Sequence, residues 1–205
     1  MMSTPLIHIV DDDDSLRTAV LRLLSASGYE ARGYASTGDF LLHANLERPG
    51  CLLLDLNLPG PSGLELQEEL LRRGVTLPVV FLTGRAGVPE SVRAMKSGAE
   101  DFLTKPVERQ TLLEALDRAL ARDASQRAAR DGAERLLSRF RRLTPRERDV
   151  FERIVIGRLN KQIADELGIA ERTVKLQRAQ LMEKLGVGSA AELGRFAERL
   201  KSLSP

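Results

Sequence analysis

The chain has 205 residues, 42% hydrophobic and 29% charged, so it can bury a core and is not expected to be disordered or fibrous. A single cysteine, Cys51, excludes an intramolecular disulfide framework, and two histidines are too few for a Cys/His zinc site. Residues 1–121 carry 12 basic against 17 acidic residues, whereas residues 122–205 carry 19 against 12. The basic second region suits a polyanion such as nucleic acid, although the charge alone fits a solvated surface equally well.

The N-terminal sequence predicts neither a signal peptide nor a membrane span. Leu6–Val10 leads directly into four aspartates, and no apolar run approaches the roughly 20 residues that a span requires. We therefore expect a cytoplasmic protein with no membrane partner.

The first region alternates short apolar runs with amphipathic stretches, which indicates strands alternating with helices. The pattern of βα units predicts a doubly wound five-stranded parallel sheet. The predicted strands are Leu6–Val10, Tyr29–Tyr34 nearer an edge, Cys51–Leu54, Val79–Leu82 and Phe102–Leu103. The predicted helices are Ser15–Ser27, Thr37–Ala44, Gly63–Arg72, Pro89–Ser97 and Val107–Leu120.

The composition changes after the fifth predicted helix. Alanine and arginine dominate there and favour helix, which predicts an extension of that helix as a semi-rigid spacer. Thr144, Pro145 and Glu147 then form a capping box that starts a wholly helical region. The predicted domains are residues 1–121, a helical linker over residues 122–142, and residues 143–205.

Ionisable residues stand at the carboxyl ends of the predicted strands, where open parallel sheets bind ligands. Asp11 and Asp12 end the first strand, Asp55 the third and Thr83 the fourth, and Lys105 follows the fifth. Three converging carboxylates require a cation, and Mg²⁺ is the hard divalent ion that oxygen ligands favour. A carboxylate beside Mg²⁺, with a hydroxyl and an ammonium group, suits phosphoryl transfer onto the carboxylate itself.

Two other interpretations of this region remain open at this point. Asp13 and Asp14 are best explained as caps of the first helix, where carboxylates are favoured. A hydrolase or nucleotide-binding enzyme is possible on such a sheet, but the chain has no Gly-rich phosphate fingerprint or nucleophile elbow.

Four segments resemble the receiver domain of two-component response regulators. The resemblance implies a sheet of order 2-1-3-4-5 and no enzymatic activity beyond slow self-dephosphorylation. The segments are Ile9–Asp13, Asp55–Gly60, Leu82–Gly84 and Phe102–Pro106.

The resemblance also implies residue roles. Asp55 would accept phosphate from a sensor histidine kinase, and Thr83 and Lys105 would hold the phosphoryl group. Phe102 matches the switch aromatic that moves together with Thr83. The Mg²⁺ ligands would be Asp11, Asp12, Asp55 and the backbone carbonyl of Asn57.

The segment after Thr83 departs from the family pattern. Arg85, Ala86 and Gly87 stand where the closest relatives usually have His, Gly and Asp. We hypothesise that the charge of Arg85 reaches the phosphoryl oxygens and alters the lifetime of the acyl phosphate.

The second region contains a helix-turn-helix pattern: a short helix at Asn160–Leu167, a turn at residues 168–170, and a second helix from Glu171. At 100° per residue, the outward face of the second helix holds Arg172, Lys175, Leu176 and Ala179. Lys175 can donate to guanine, and Leu176 and Ala179 can contact thymine methyls. The predicted phosphate contacts are Lys161, Thr173, Gln177 and Arg178.

Segments of this region resemble the LuxR-type effector domain. With the receiver in front, the chain resembles the NarL/FixJ group, with a linker similar to that of the FixJ, StyR and TodT regulators. Ala170 replaces the serine that usually caps the recognition helix, and Gln177 replaces a common histidine. The matching segments are Leu143–Arg148, Asn160–Ala164, Thr173–Lys175 and Lys184–Val187.

We therefore expect a phosphorylation-controlled transcription factor, an activator that binds a double-stranded DNA operator and works with RNA polymerase. Phosphorylation of Asp55 is expected to drive homodimerisation through Pro89–Leu120, with Ser189–Leu200 as a second dimer surface. The alternatives are a constitutive DNA-binding regulator with a vestigial receiver, or a phosphate relay or sink.

Overall fold

The computed structural model describes residues 4–84 and 88–203, with only the backbone of residues 88–91. The described residues form two compact units, which divide between Arg127 and Ala128. None of the helices in the described ranges is long and apolar enough for a membrane span. The predicted domain boundaries at residues 121 and 142 stay predictions.

The first unit is a parallel five-stranded sheet of order β2-β1-β3-β4-β5, which confirms the predicted fold class. β2 lies at an edge, as expected from its mixed composition. The strands are β1 Leu6–Val10, β2 Glu30–Tyr34, β3 Gly50–Asp55, β4 Val79–Thr83 and β5 Asp101–Thr104. The helices are α1 Asp14–Ala26, α2 Thr37–His43, α3 Gly63–Arg72, α4 Val88–Lys96 and α5 Arg109–Arg141.

Side chains on the two faces of the sheet belong to two separate apolar clusters, because successive residues of a strand point to opposite faces. Leu52 and Leu54 lie in one cluster with Phe40 and Phe81. Leu53 lies in the other, with Leu116 and neighbouring residues of α5. Central strands covered on both faces read as continuous apolar runs, which is why the sequence predicted them well.

The helix starts follow local hydrogen-bond chemistry. The side chains of Asp13, Ser36 and Ser62 each accept a backbone N–H from the first turn of the following helix. The structure thus confirms the capping role of Asp13. The fifth helix begins at Arg109, two residues later than predicted, and runs without interruption through Gly132 to Arg141. This continuity confirms the helical linker.

The second unit is wholly helical after α5. Thr144 caps α6 in the predicted capping box with Glu147, and Pro145 occupies the first turn. Leu143, Val150 and Phe151 pack with buried residues of the later helices into a third core cluster. The helices are α6 Pro145–Val155, α7 Asn160–Leu167, α8 Glu171–Leu185 and α9 Ala190–Lys201.

Candidate phosphoacceptor pocket and DNA-reading surface

The parallel register brings the carboxyl ends of β1, β3 and β4 to one edge, and the acidic residues meet there. Carboxylate oxygens of Asp11, Asp12 and Asp55 lie within 4.8 Å of one another. Asp11 and Asp55 are buried, whereas Asp12 is exposed. Three hard oxygen donors at this separation fit a divalent cation such as Mg²⁺ better than a soft metal.

Lys105 neutralises part of this negative charge. Its Nζ lies 2.7 Å from Asp11 Oδ2 and 2.7 Å from Asp55 Oδ2. Burial raises the pKa of Asp11, although the hydrogen bond from Lys105 opposes that effect. Burial also disfavours the charged ammonium of Lys105, but its bonds to Asp11 and Asp55 outweigh this and raise its pKa. The raised pKa of Lys105 therefore keeps its ammonium group positively charged beside Asp55.

Asn57 and Thr83 complete the surroundings of Asp55. The backbone N–H of Asn57 donates to Asp55 Oδ1 at 3.0 Å, and the Asn57 amide donates to Thr83 Oγ at 3.1 Å. Thr83 is fully buried at the end of β4. The ring of Phe102 is half-buried and packs against Phe81, with the ring centroids 5.9 Å apart. Arg85 lies outside the described residues.

The helix-turn-helix has the predicted form. Gly168 caps the C-terminus of α7, and its φ of 63° is the left-handed conformation that glycine adopts without a steric cost. On α8, Val174, Leu181 and Leu185 are buried, as the helical spacing predicted. Ala170 precedes α8 without a side-chain cap.

The residues predicted to read DNA are mostly exposed. Arg172, Lys175 and Ala179 are exposed, and Leu176 is 59% exposed. Lys161 is exposed on α7. The Lys175 ammonium lies 3.1 Å from the carboxylate of Glu171, one turn earlier.

Three of the predicted phosphate contacts, Thr173, Gln177 and Arg178, are half-buried instead of exposed. Arg178 Nη1 donates to Asn160 Oδ1 at 3.2 Å, which joins α8 to the start of α7. Gln177 Oε1 is buried and has no hydrogen-bond partner among the described residues. Their role in phosphate binding stays a prediction.

Sequence reasoning missed two polar contacts near these sites. Lys184 Nζ lies 2.7 Å from each carboxylate oxygen of Glu147, so it ties α8 to α6. Arg17 donates to the backbone carbonyl of Asp11 at 2.6 Å. The capping box had already singled out Glu147, but no local pattern indicates that Lys184 contacts Glu147 or that Arg17 contacts Asp11.

Comparisons with known proteins agree with this geometry. Residues 7–117 match the response regulator receiver domain, and residues 141–197 match the luxR family of bacterial regulatory proteins. Nodulation protein W of Bradyrhizobium diazoefficiens is 41% identical over 95% of this chain and 86% of that protein. The transcriptional regulatory protein FixJ of Azorhizobium caulinodans is 41% identical over 93% of this chain and 90% of that protein.

A solved structure of the response regulator StyR is 44% identical and covers 96% of this chain and 100% of its own, with a TM-score of 0.92. A receiver domain followed by a LuxR-type DNA-binding domain defines transcriptional regulators of two-component systems. The chain therefore belongs to the NarL/FixJ family of response regulators.

Proposed function

We propose that Asp55 is the phosphoacceptor of this transcriptional regulator and that its phosphorylation by a sensor histidine kinase controls DNA binding. The observation that carries the proposal is the environment of Asp55. Its carboxylate lies between the Lys105 ammonium and the Asn57 N–H, beside two further carboxylates. An anionic nucleophile held by fixed donors is oriented for attack on a phosphoryl group.

Each neighbouring group has a separate task in this proposal. Asp11, Asp12, Asp55 and the Asn57 carbonyl would hold Mg²⁺, which neutralises the charge of the carboxylates and of the incoming phosphoryl oxygens. An Asp55 oxygen bonds to phosphorus while the bond from phosphorus to the kinase imidazole nitrogen breaks. Lys105 then exchanges one carboxylate partner for a phosphoryl oxygen, and the Thr83 hydroxyl binds another.

Phosphorylation has to be communicated from the pocket to the DNA-binding unit. Thr83 is the last residue of β4 and pairs with Thr104 of β5, next to the pair of Leu82 with Leu103. A shift of Thr83 and Phe102 would therefore alter the surface of α4, β5 and α5. We propose that homodimers form through Pro89–Leu120, with Ser189–Leu200 as a second surface, and that the dimer activates transcription with RNA polymerase.

The exposed face of α8 supplies the DNA contacts in this proposal. Lys175, Leu176 and Ala179 read base edges, and Arg172 extends from the same exposed face. Lys161, Thr173, Gln177 and Arg178 contact phosphates. Arg85 adjusts the lifetime of the acyl phosphate, and an unchanged lifetime of phosphorylated Asp55 in Arg85→His would contradict that role.

The test is enrichment of fragmented genomic DNA by the purified full-length protein, with and without Mg²⁺ and a small-molecule phosphodonor. We expect enrichment that depends on the phosphodonor in wild type and is lost in Asp55→Asn. Asp131→Asn is the matched control, because it makes the same charge change at an exposed position of α5 outside the proposed dimer surfaces. Equal enrichment in all conditions would overturn control by phosphorylation and support a constitutive regulator with a vestigial receiver.

Light scattering with beryllofluoride tests the dimer separately. We expect the mass of wild type to double on addition of beryllofluoride and Mg²⁺, and that of Asp55→Asn to stay constant. An unchanged mass of wild type at protein concentrations up to tens of micromolar, roughly the range of weak regulatory interactions, would exclude dimerisation as the switch.

A further inference from the structure

Arg17, in the first turns of α1, contacts the backbone of the acidic pocket. Its Nη1 donates to the carbonyl oxygen of Asp11 at 2.6 Å, its Nη2 pairs with Asp14, and its side chain is only 15% exposed. We propose that Arg17 is a positioning residue that fixes the peptide between Asp11 and Asp12 in the orientation that Mg²⁺ binding requires. This inference rests on the proposed Mg²⁺-dependent phosphorylation of Asp55.

The contact acts on Asp12 through the planar peptide. The Asp11 carbonyl and the Asp12 nitrogen lie in one rigid plane, so a bond to the carbonyl oxygen sets the direction in which Asp12 leaves the strand. Asp11 itself has further restraints, since its backbone N–H donates to the backbone carbonyl of Tyr34 and its Oδ1 accepts the backbone N–H of Asp13. Asp12 is the exposed carboxylate of the three, so its position depends most on the backbone.

The contact explains two residues that are unfavourable for the secondary structure in which they lie. A cation at the start of a helix faces the positive end of the helix dipole, so Arg17 is a poor choice for that position by itself. Gly33 weakens β2, because glycine has no side chain to pack in a strand. A Cβ at Gly33 would lie 3.0 Å from both Cγ and Cδ of Arg17, so the glycine leaves room for the arginine stem.

A positioning role of Arg17 and a purely electrostatic role predict opposite changes in Mg²⁺ affinity when Arg17 is removed. If Arg17 acted only through its positive charge, its removal would strengthen cation binding, because like charges repel. If it positions the peptide, its removal weakens binding. Arg17→Gln separates the two effects, since glutamine keeps an N–H donor for the Asp11 carbonyl without the charge.

The experiment is calorimetric titration of the full-length protein with Mg²⁺, with thermal unfolding in EDTA as the control for folding. We expect Arg17→Ala to raise the Mg²⁺ dissociation constant about tenfold, as is typical when the support of a metal ligand is removed. Arg17→Gln is expected to recover most of the affinity. An unchanged or tighter dissociation constant in Arg17→Ala overturns the proposal.

Gly33→Ala supplies an independent test through a double-mutant cycle. Its Cβ displaces the Arg17 stem, so we expect weaker Mg²⁺ binding in the wild-type background and no further loss in the Arg17→Ala background. Equal losses in both backgrounds overturn the proposal. If wild type itself binds no Mg²⁺, the proposed function fails as well; if wild type binds and the variants match it, only this inference fails.

Discussion

The two functional surfaces of this protein differ in how they are supported. In the receiver, Asp11, Asp55 and Thr83 are buried, so the proposed phosphorylation site belongs to the packed interior. On α8, Lys175 and Leu176 project from the surface, and the folding of the helix depends on the opposite face. Substitutions in the pocket should therefore change stability and function together, whereas substitutions on the reading face should change DNA affinity with little effect on stability.

The largest effect on the DNA-binding unit is expected away from its reading face. Glu147 is 3% exposed, bonds to Lys184 and completes the capping box of α6. We expect Glu147→Ala to lower the free energy of unfolding by about 3 kcal/mol, because it leaves a partly buried ammonium unpaired and removes a cap. Far-UV circular dichroism during urea unfolding measures this loss.

The exposed Glu152 on the same helix provides the control, and Glu152→Ala should leave the midpoint in place. Tyrosine fluorescence, measured in parallel, follows the unfolding of the receiver alone, since both tyrosines, Tyr29 and Tyr34, lie there and the chain has no tryptophan. Equal losses in Glu147→Ala and Glu152→Ala would show that the buried pair does not stabilise this unit.

Acid sensitivity due to histidine should be confined to the receiver, because His8 and His43 both lie there. Burial, reinforced by the positive charges of Arg32 and Arg48, lowers the pKa of His8 to about 4, from 6.5 when unfolded. The native state then binds fewer protons than the unfolded state, so stability is complete above pH 6.5 and falls as the pH drops toward 4.

From pH 7 to pH 5 this linkage is expected to lower the free energy of unfolding by about 2 kcal/mol. Urea unfolding followed by tyrosine fluorescence measures it in the receiver. His8→Leu should lose this part of the pH dependence, although Tyr34 then lacks its 2.9 Å partner. A pH dependence as steep in the variant as in wild type would assign the acid sensitivity to other groups.

Lys175→Ala tests whether the reading face acts independently of the fold. We expect about a tenfold loss of affinity for enriched operator fragments, or about 1.4 kcal/mol, because the proposed base contact of Lys175 disappears. The thermal midpoint should stay constant, since the ion pair of Lys175 with Glu171 is exposed. Lys201→Ala, at the exposed end of α9, is the matched control. Equal binding by both variants would remove Lys175 from the interface.

The smallest expected effect is an increase in the stability of the DNA-binding unit. Ala170 occupies the N-cap of α8 with extended backbone dihedrals but no side-chain hydrogen bond. Ala170→Ser should raise the free energy of unfolding by about 1 kcal/mol, because the hydroxyl can accept a backbone N–H of the first turn. Ala179→Ser on the same helix should lower it slightly, since serine is the poorer helix former. Circular dichroism melting of both variants distinguishes these outcomes.

Much of the fold could be predicted because its signals are local. Buried parallel strands appear as continuous apolar runs, and α3 and α7 have the predicted bounds. β5 is longer than predicted, from Asp101 to Thr104, because it pairs with β4 along residues that are not all apolar. The pocket residues were predicted from their places at strand ends, and the structure brings Asp11, Asp55 and Lys105 together.

Other features could not be predicted from local patterns. Asp123 falls in the predicted helical linker, yet it is buried, accepts the Gly50 N–H and pairs with Arg127. Arg127 in turn donates to the carbonyl oxygens of residues 47 and 48. Arg178 was assigned to phosphate contact by its place on the helix, whereas its position relative to Asn160 depends on how two helices pack.

The sequence by itself determined the alternation of strands and helices, the capping box of α6 and the strand-end positions of the acidic residues, since each depends on neighbours within a few residues. Only the tertiary structure decided which distant groups meet: Lys105 with Asp11 across 94 positions, Gly50 with Asp123 across 73, and Lys184 with Glu147 across 37. The partner of a charged side chain depends on the course of the whole backbone, and no local periodicity encodes that course.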